Sequence, residues 1–206
     1  ARPPTFGLVV LQSEETLEDE FRYFLRDRRV VLHHTRIPSA EAVTLETLGA
    51  MEENLGSAIG LFPAGARFDV IGYACTSAAS VIGEARVSEL ITGARPEAAS
   101  TNPATAVKAA LGALGAQRVS VLTPYNFAVT QDIVAMLETD NFKVTSVTTF
   151  NEEVEAKVAR ITPQSILAAA VAVGENEAAE AVFISCTNLR CAGIIAEAER
   201  RTGKPV

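Results

Sequence analysis

Short apolar runs alternate along this chain with longer stretches in which apolar positions recur every three to four residues. Near-continuous or period-two runs mark strands and the 3.6 period marks helices, so the alternation predicts βαβ units around a parallel sheet. The pattern predicts strands over 6–12, 29–36, 68–74, 117–123, 142–149 and 180–185, with one more short strand after Pro96. Helices are predicted over 15–27, 44–60, 77–91, 103–114, 126–140, 163–173 and 189–201. Asn102-Pro103 and Thr162-Pro163 each set a capping side chain before a proline at the first helical position.

Two phrases within this pattern match. Val70-Ile71-Gly72-Tyr73-Ala74-Cys75-Thr76-Ser77 returns as Val182-Phe183-Ile184-Ser185-Cys186-Thr187-Asn188, with the cysteines 111 residues apart. The same shift lays Leu8-Val9-Val10-Leu11-Gln12-Ser13 over Val119-Ser120-Val121-Leu122-Thr123-Pro124. A register shared by two junctions reads as an internal duplication, with one α/β half over 1–100 and a second over 101–206. In the first half the Cys-Thr helix is followed by a short strand and the helix at Pro103; in the second the chain has reached Val206. Symmetry therefore predicts a further strand and helix beyond Val206.

Composition narrows the partners. With 206 residues, 48% apolar and only 6% aromatic, the chain suits an α/β protein with one large core or two small ones. A net charge of -7 argues against nucleic acid or an anionic membrane surface as partner, since both need a basic face. No apolar run reaches membrane-spanning length, and Ala1-Arg2-Pro3-Pro4-Thr5 lacks the order of a signal peptide. Three cysteines do not make a disulfide framework, so a reducing cytoplasm is the expected compartment.

In open parallel sheets, ligands bind beyond the carboxyl ends of the strands, where loops enter helices. Cys75-Thr76-Ser77 and Cys186-Thr187-Asn188 stand at such ends. A helix N-terminus favours the thiolate, so both thiols are expected below the ordinary value of about 8.5. A single cysteine after a buried strand is ordinarily a small core residue. Two at matching junctions, brought together about a pseudo-two-fold axis, would approach one pocket from opposite sides. That suits removal of a proton on one face and its return on the other, or thiolate addition to an alkene followed by rotation and release.

The first-strand junctions, Gln12-Ser13-Glu14-Glu15-Thr16 and Thr123-Pro124-Tyr125-Asn126, supply supporting groups for a carboxylate. Tyr125 is the preferred donor, and Asn151 is placed either on the same rim or as a cap for the following acidic residues. Cys191 is read as a buried free thiol inside the last helix, because Cys-x4-Cys without further ligands is poor metal spacing. His33 and His34, the only histidines, are assigned structural roles. No dinucleotide or phosphate-loop fingerprint is present.

With both Cys-Thr junctions in view, the chain resembles the aspartate/glutamate racemase superfamily, closest to the branch holding maleate cis-trans isomerase, arylmalonate decarboxylase and the ectoine-utilisation proteins. The likeness runs from Gly7 to Val206. It implies two pseudo-symmetric Rossmann-like, flavodoxin-like α/β domains with the active site between them. It also implies Cys75 and Cys186 as the catalytic pair, chemistry without metal or organic cofactor, and a homodimer. The decarboxylases resemble this chain at the second cysteine but carry glycine where Cys75 stands, which tilts against decarboxylation. Tyr125 and Asn151 match substrate-contacting positions of the isomerases.

The departure lies at Ser13-Glu14-Glu15-Thr16, where the isomerases carry an Asn that grips a substrate carboxylate. A carboxylate there would repel a dicarboxylate by roughly 1–4 kcal/mol at 4 Å in a wet to intermediate dielectric. Glu14 would instead welcome an amine or amidine, as in an amino acid or an ectoine-derived metabolite. The leading expectation is therefore a cofactor-independent racemase or isomerase of a small amino or imino carboxylate, with Ser13, Glu14, Thr76, Ser77, Tyr125, Asn151, Thr187 and Asn188 binding it. The alternatives are maleate-type cis-trans isomerisation, malonate decarboxylation, and a small-molecule binding protein without turnover.

Overall fold

The computed structural model describes residues 2–206. The first half runs β1 (Thr5–Leu11), α1 (Leu17–Leu25), β2 (Val31–Ile37), α2 (Leu45–Ala50), α3 (Glu52–Gly60), β3 (Val70–Ala74), α4 (Thr76–Ile82), α5 (Glu84–Ala94) and β4 (Ala99–Thr101). The second runs α6 (Pro103–Leu114), β5 (Arg118–Thr123), α7 (Phe127–Thr139), β6 (Lys143–Thr149), α8 (Glu155–Val158), α9 (Pro163–Gly174), β7 (Ala181–Ile184) and α10 (Ile195–Thr202).

These strands build two parallel sheets, ordered β2-β1-β3-β4 and β6-β5-β7. Second, first, third is thus the order in both, the arrangement a duplicated unit requires. The central strands β1 and β5 carry the continuous apolar runs because both of their faces are covered: Val9 and Val10 point to opposite faces and both are buried. Each such side chain contributes about 1.5–3 kcal/mol. The edge strands β2 and β6 are mixed in polarity, as half-exposed edges must be.

One large core spans the halves, running from Val9, Leu55 and Ile59 through Cys75, Ala78 and Ala79 to Tyr125, Val129 and Ile133. The small residues Ala78 and Ala79 let α4 pack against α7 across the join, where Ser80 donates to Asp132 Oδ2 at 2.5 Å. The division expected at 100/101 falls inside β4. On the free side of β7, the Val182 N–H donates to the Pro205 carbonyl at 2.9 Å.

Two predicted helices are split. The stretch 77–91 breaks at Gly83, whose φ of 91° suits glycine, so α4 ends and α5 starts there on a new axis. The stretch 44–60 divides at Met51. The prolines and caps of α6 and α9 act as predicted, with Asn102 accepting from the Thr105 N–H and Thr162 from the Ser165 N–H. His33 packs edge-on against Phe68, with ring centroids 5.3 Å apart, and the His34 Nε2 is buried without a partner. Among the described residues, no helix is long and apolar enough to cross a membrane.

Candidate active site

Both cysteines lie at carboxyl ends of third strands, but on unlike backbones. Cys75 is extended (φ −146°, ψ 117°) and caps α4, its sulfur accepting from the Ala78 N–H at 3.4 Å and lying 3.6 Å from Ser77 Oγ. Cys186 has φ 155°, a value rare outside glycine, and its sulfur accepts from the Asn188 N–H at 3.4 Å. The chain then passes through turns to α10 at Ile195 rather than entering the helix predicted from 189. Cys191 accordingly sits in this turn segment and not inside a helix. The reason is tertiary, because Thr187 and Asn188 are drawn into hydrogen bonds with the first half.

Those bonds form the floor of the site. Thr187 Oγ1 lies 3.0 Å from Glu14 Oε2 and 3.2 Å from the carbonyl of Ala74, the residue before Cys75. The Asn188 side chain accepts from the Glu15 N–H at 3.0 Å and donates to Glu155 Oε2 at 3.0 Å and the Ser13 carbonyl at 3.4 Å. Its carbonyl accepts from the Thr16 hydroxyl at 3.1 Å. With its amide spent this way and only 2% of its surface exposed, Asn188 joins the halves.

Glu14 is 5% exposed and caps α1 in place of Thr16, its Oε1 accepting from the Thr16 and Leu17 N–H groups at 2.8 and 3.0 Å. Glu155, at the start of α8, is 6% exposed. Its backbone is pinned across the join, since Glu155 N–H donates to the Glu41 carbonyl at 3.3 Å and Val43 N–H to the Glu153 carbonyl at 2.8 Å, flanking an antiparallel bridge between Ala42 and Val154. Among the described residues, Asn188 is the only donor to its carboxyl. Tyr125, 1% exposed in the loop after β5, sets its hydroxyl against the Cys186 thiol and close to Cys75 and Glu155.

Electrostatics reverse the expected acidity of the thiols. Burial pushes Cys75 up to about 12, with hydrogen bonds from Ala78 and Ser77 opposing and the charges of Glu155 and Glu14 adding to the rise. Burial and then Glu155 hold Cys186 well above the ordinary thiol value, while the neighbouring Tyr125 hydroxyl works the other way. Burial also raises Glu155, with Glu14 adding to it and the Asn188 bond opposing. The helix-terminus effect expected from sequence is thus outweighed by desolvation and by two nearby carboxylates.

The structure therefore brings Cys75, Ser77, Glu14, Thr187 and Tyr125 together around Cys186, with Thr76 buried in the first turn of α4. Ser13 is turned to Ser39, their hydroxyl oxygens 3.0 Å apart. Asn151 is exposed with φ 53° on the turn after β6, which the bonds from Phe150 N–H to the Thr123 carbonyl and from Glu152 N–H to the Pro124 carbonyl hold beside the loop of Tyr125, and further along this loop Glu155 is buried near the thiols. Sequence reasoning missed Glu155, although a signal existed. Glu155, Val158 and Ala159 share the i, i+3, i+4 spacing of a buried face, which marks this acid among its neighbours Glu152 and Glu153.

Comparison with known proteins agrees with this architecture. The family model described as arylmalonate decarboxylase matches residues 51–206. A maleate isomerase from Nocardia farcinica is 30% identical over 210 residues, covering 97% of this chain and 83% of that protein. One from Pseudomonas putida is 28% identical, covering 97% and 84%. The solved Nocardia farcinica maleate cis-trans isomerase, a cysteine-to-serine mutant with a covalently bound succinylcysteine intermediate, superposes with TM-score 0.89 at 29% identity, covering 100% of this chain and 87% of that one. Arylmalonate decarboxylase itself superposes with TM-score 0.74 at 21% identity over 98% of this chain and 86% of that one, a likeness of fold. Duplicated sheets, paired strand-end cysteines and these matches together place the chain in the arylmalonate decarboxylase family, alongside the maleate isomerases.

Proposed function

We propose that this isomerase converts a small unsaturated carboxylate between its cis and trans forms, with Cys75 and Cys186 as the reacting pair. One thiolate adds to an alkene carbon, forming an S–C bond while the π electrons move towards the carboxylate. The former double bond rotates as a single bond, and the same electrons return as the sulfur leaves. The second thiol serves as acid and base on the other side. Tyr125 is placed to donate to a thiolate at Cys186, which offsets part of the cost of forming that charge in a buried site.

The observation that carries this reading is the meeting of the buried Cys75 thiol and the half-buried Cys186 thiol, from equivalent strand ends, beside one tyrosine hydroxyl. Alkene addition ranks ahead of the proton exchange favoured from sequence, because a relative at 29% identity holds a succinylcysteine intermediate. Proton NMR of maleate and of cis-4-aminobut-2-enoate should show cis-trans conversion of at least one. Cys75→Ser and Cys186→Ser should each lower it by about 10²–10⁴-fold. Wild-type rates in both variants overturn the reading, and racemisation of a saturated amino acid with no action on alkenes replaces it by the proton-exchange mechanism.

A further inference from the structure

We propose that Glu155 is a positioning residue of the reaction: acting through Asn188, it holds the Cys186 thiol in place and protonated, and so makes two thiols at equivalent strand ends unequal. The proposal deepens the reading that Cys75 and Cys186 are the reacting pair. Acid-base exchange across a pair of like groups needs one of them charged while the other carries its proton, and a difference in surroundings supplies that inequality.

Two hydrogen bonds make the link, since Asn188 donates its side-chain amide to Glu155 Oε2 at 3.0 Å and its backbone N–H to Cys186 Sγ at 3.4 Å. Cys186 stands at φ 155°, a conformation that persists only where neighbours fix it, and the bonds of Thr187 and Asn188 do the fixing. Cys75 is held differently, its sulfur meeting the Ala78 N–H at 3.4 Å and Ser77 Oγ at 3.6 Å, both from α4. The two buried acids differ as well. Glu14 spends its carboxylate on the Thr16 and Leu17 N–H groups and the Thr187 hydroxyl, whereas Glu155 receives Asn188 alone among the described residues.

The titratable groups around Glu155 are Glu14 from the loop after β1, Tyr125 from the loop after β5 and the two thiols. Lys157 and Arg160, the cations that follow it in the chain, turn to Glu152 and Glu15. At Cys186 the Glu155 charge stands next after burial in keeping the thiol protonated, while at Cys75 the Ala78 and Ser77 bonds come before it.

The test titrates the thiols without turnover. NMR of protein carrying heavy carbon at its cysteine Cβ atoms follows each thiol separately, with single cysteine variants giving the assignments. Glu155→Gln keeps an oxygen for Asn188 and removes the charge. Its Cys186 signal should begin to move about one pH unit or more below the wild-type position, with a smaller shift at Cys75 and none at Cys191. Conversion of whichever of maleate and cis-4-aminobut-2-enoate is turned over gives the second readout. Glu155→Ala, which also removes the acceptor, should lower kcat by about tenfold or more at a KM within about twofold of wild type, and Glu155→Gln should recover part of that loss. An unmoved Cys186 titration in Glu155→Gln overturns the proposal, as does a shift at Cys75 as large as that at Cys186, or a change confined to KM. Loss of the function reading shows instead as wild-type conversion rates in both cysteine variants, so the two failures are distinct.

Discussion

Asn188 donates its side-chain amide to the Glu155 carboxyl at 3.0 Å while its own N–H points at Cys186 Sγ from 3.4 Å. One residue thus bridges a buried acid and a half-buried thiol and ties both to the first half through Ser13, Glu15 and Thr16.

Replacing Asn188 by alanine removes the only donor to the Glu155 carboxyl among the described residues and leaves the half-buried Glu15 N–H without its acceptor. A cost of about 1–3 kcal/mol is expected for the buried carboxyl so orphaned. For a chain of this size that lowers Tm by about 2–4 °C per kcal/mol. Differential scanning calorimetry of Asn188→Ala checks it, and a Tm equal to wild type refutes it.

The acidity of Glu155 gives a pH signature. Its carboxyl is raised in the folded state, so the folded chain holds this proton more tightly than the unfolded one. The stabilising share is fully present below the unfolded value near 4.5 and is lost as pH rises through the folded value. Glu155→Gln keeps an oxygen for Asn188 and carries no charge. It should therefore be more stable than wild type at pH 8, with the advantage shrinking towards pH 4 in parallel denaturant titrations.

Raised thiols should also show in alkylation. With Cys75 pushed up to about 12, its rate with neutral iodoacetamide should keep climbing from pH 8 to beyond pH 10 and show no plateau near 9. A plateau below pH 9 would mean that the thiolate forms readily in the free protein.

Two glycines should respond in opposite directions. Gly83 holds φ 91° at the break between α4 and α5 with open space around it, so Gly83→Ala costs backbone strain alone, about 1–3 kcal/mol. Gly56 lies inside α3, also with room for a methyl group, and Gly56→Ala should stabilise by about 0.5–1 kcal/mol. Chemical denaturation of both variants measures the contrast.

Much of this layout was legible in the residues. The apolar runs of β1 and β5 announce central strands, and Pro103 and Pro163 announce α6 and α9, because backbone propensity and capping act within a few positions. The matching Cys-Thr phrases located the strand ends that carry the thiols. Helix breaks were less legible, since a glycine such as Gly83 is tolerated within a helical pattern until packing redirects the chain. The turn after Cys186 was hidden for a similar reason, as the bonds that hold Thr187 and Asn188 come from Glu14, Glu15, Thr16 and Glu155.

By itself the sequence determined two parallel α/β units, their shared register and the two cysteines at equivalent strand ends, because periodicity and repetition are local properties of a chain. Only the tertiary structure decided which acids stand beside those cysteines and in which direction their acidity moves. Glu155 is buried near the thiols, and Cys75 is pushed up rather than down. Desolvation and Coulomb forces act through space, and they reach the thiols from residues that lie far away along the chain.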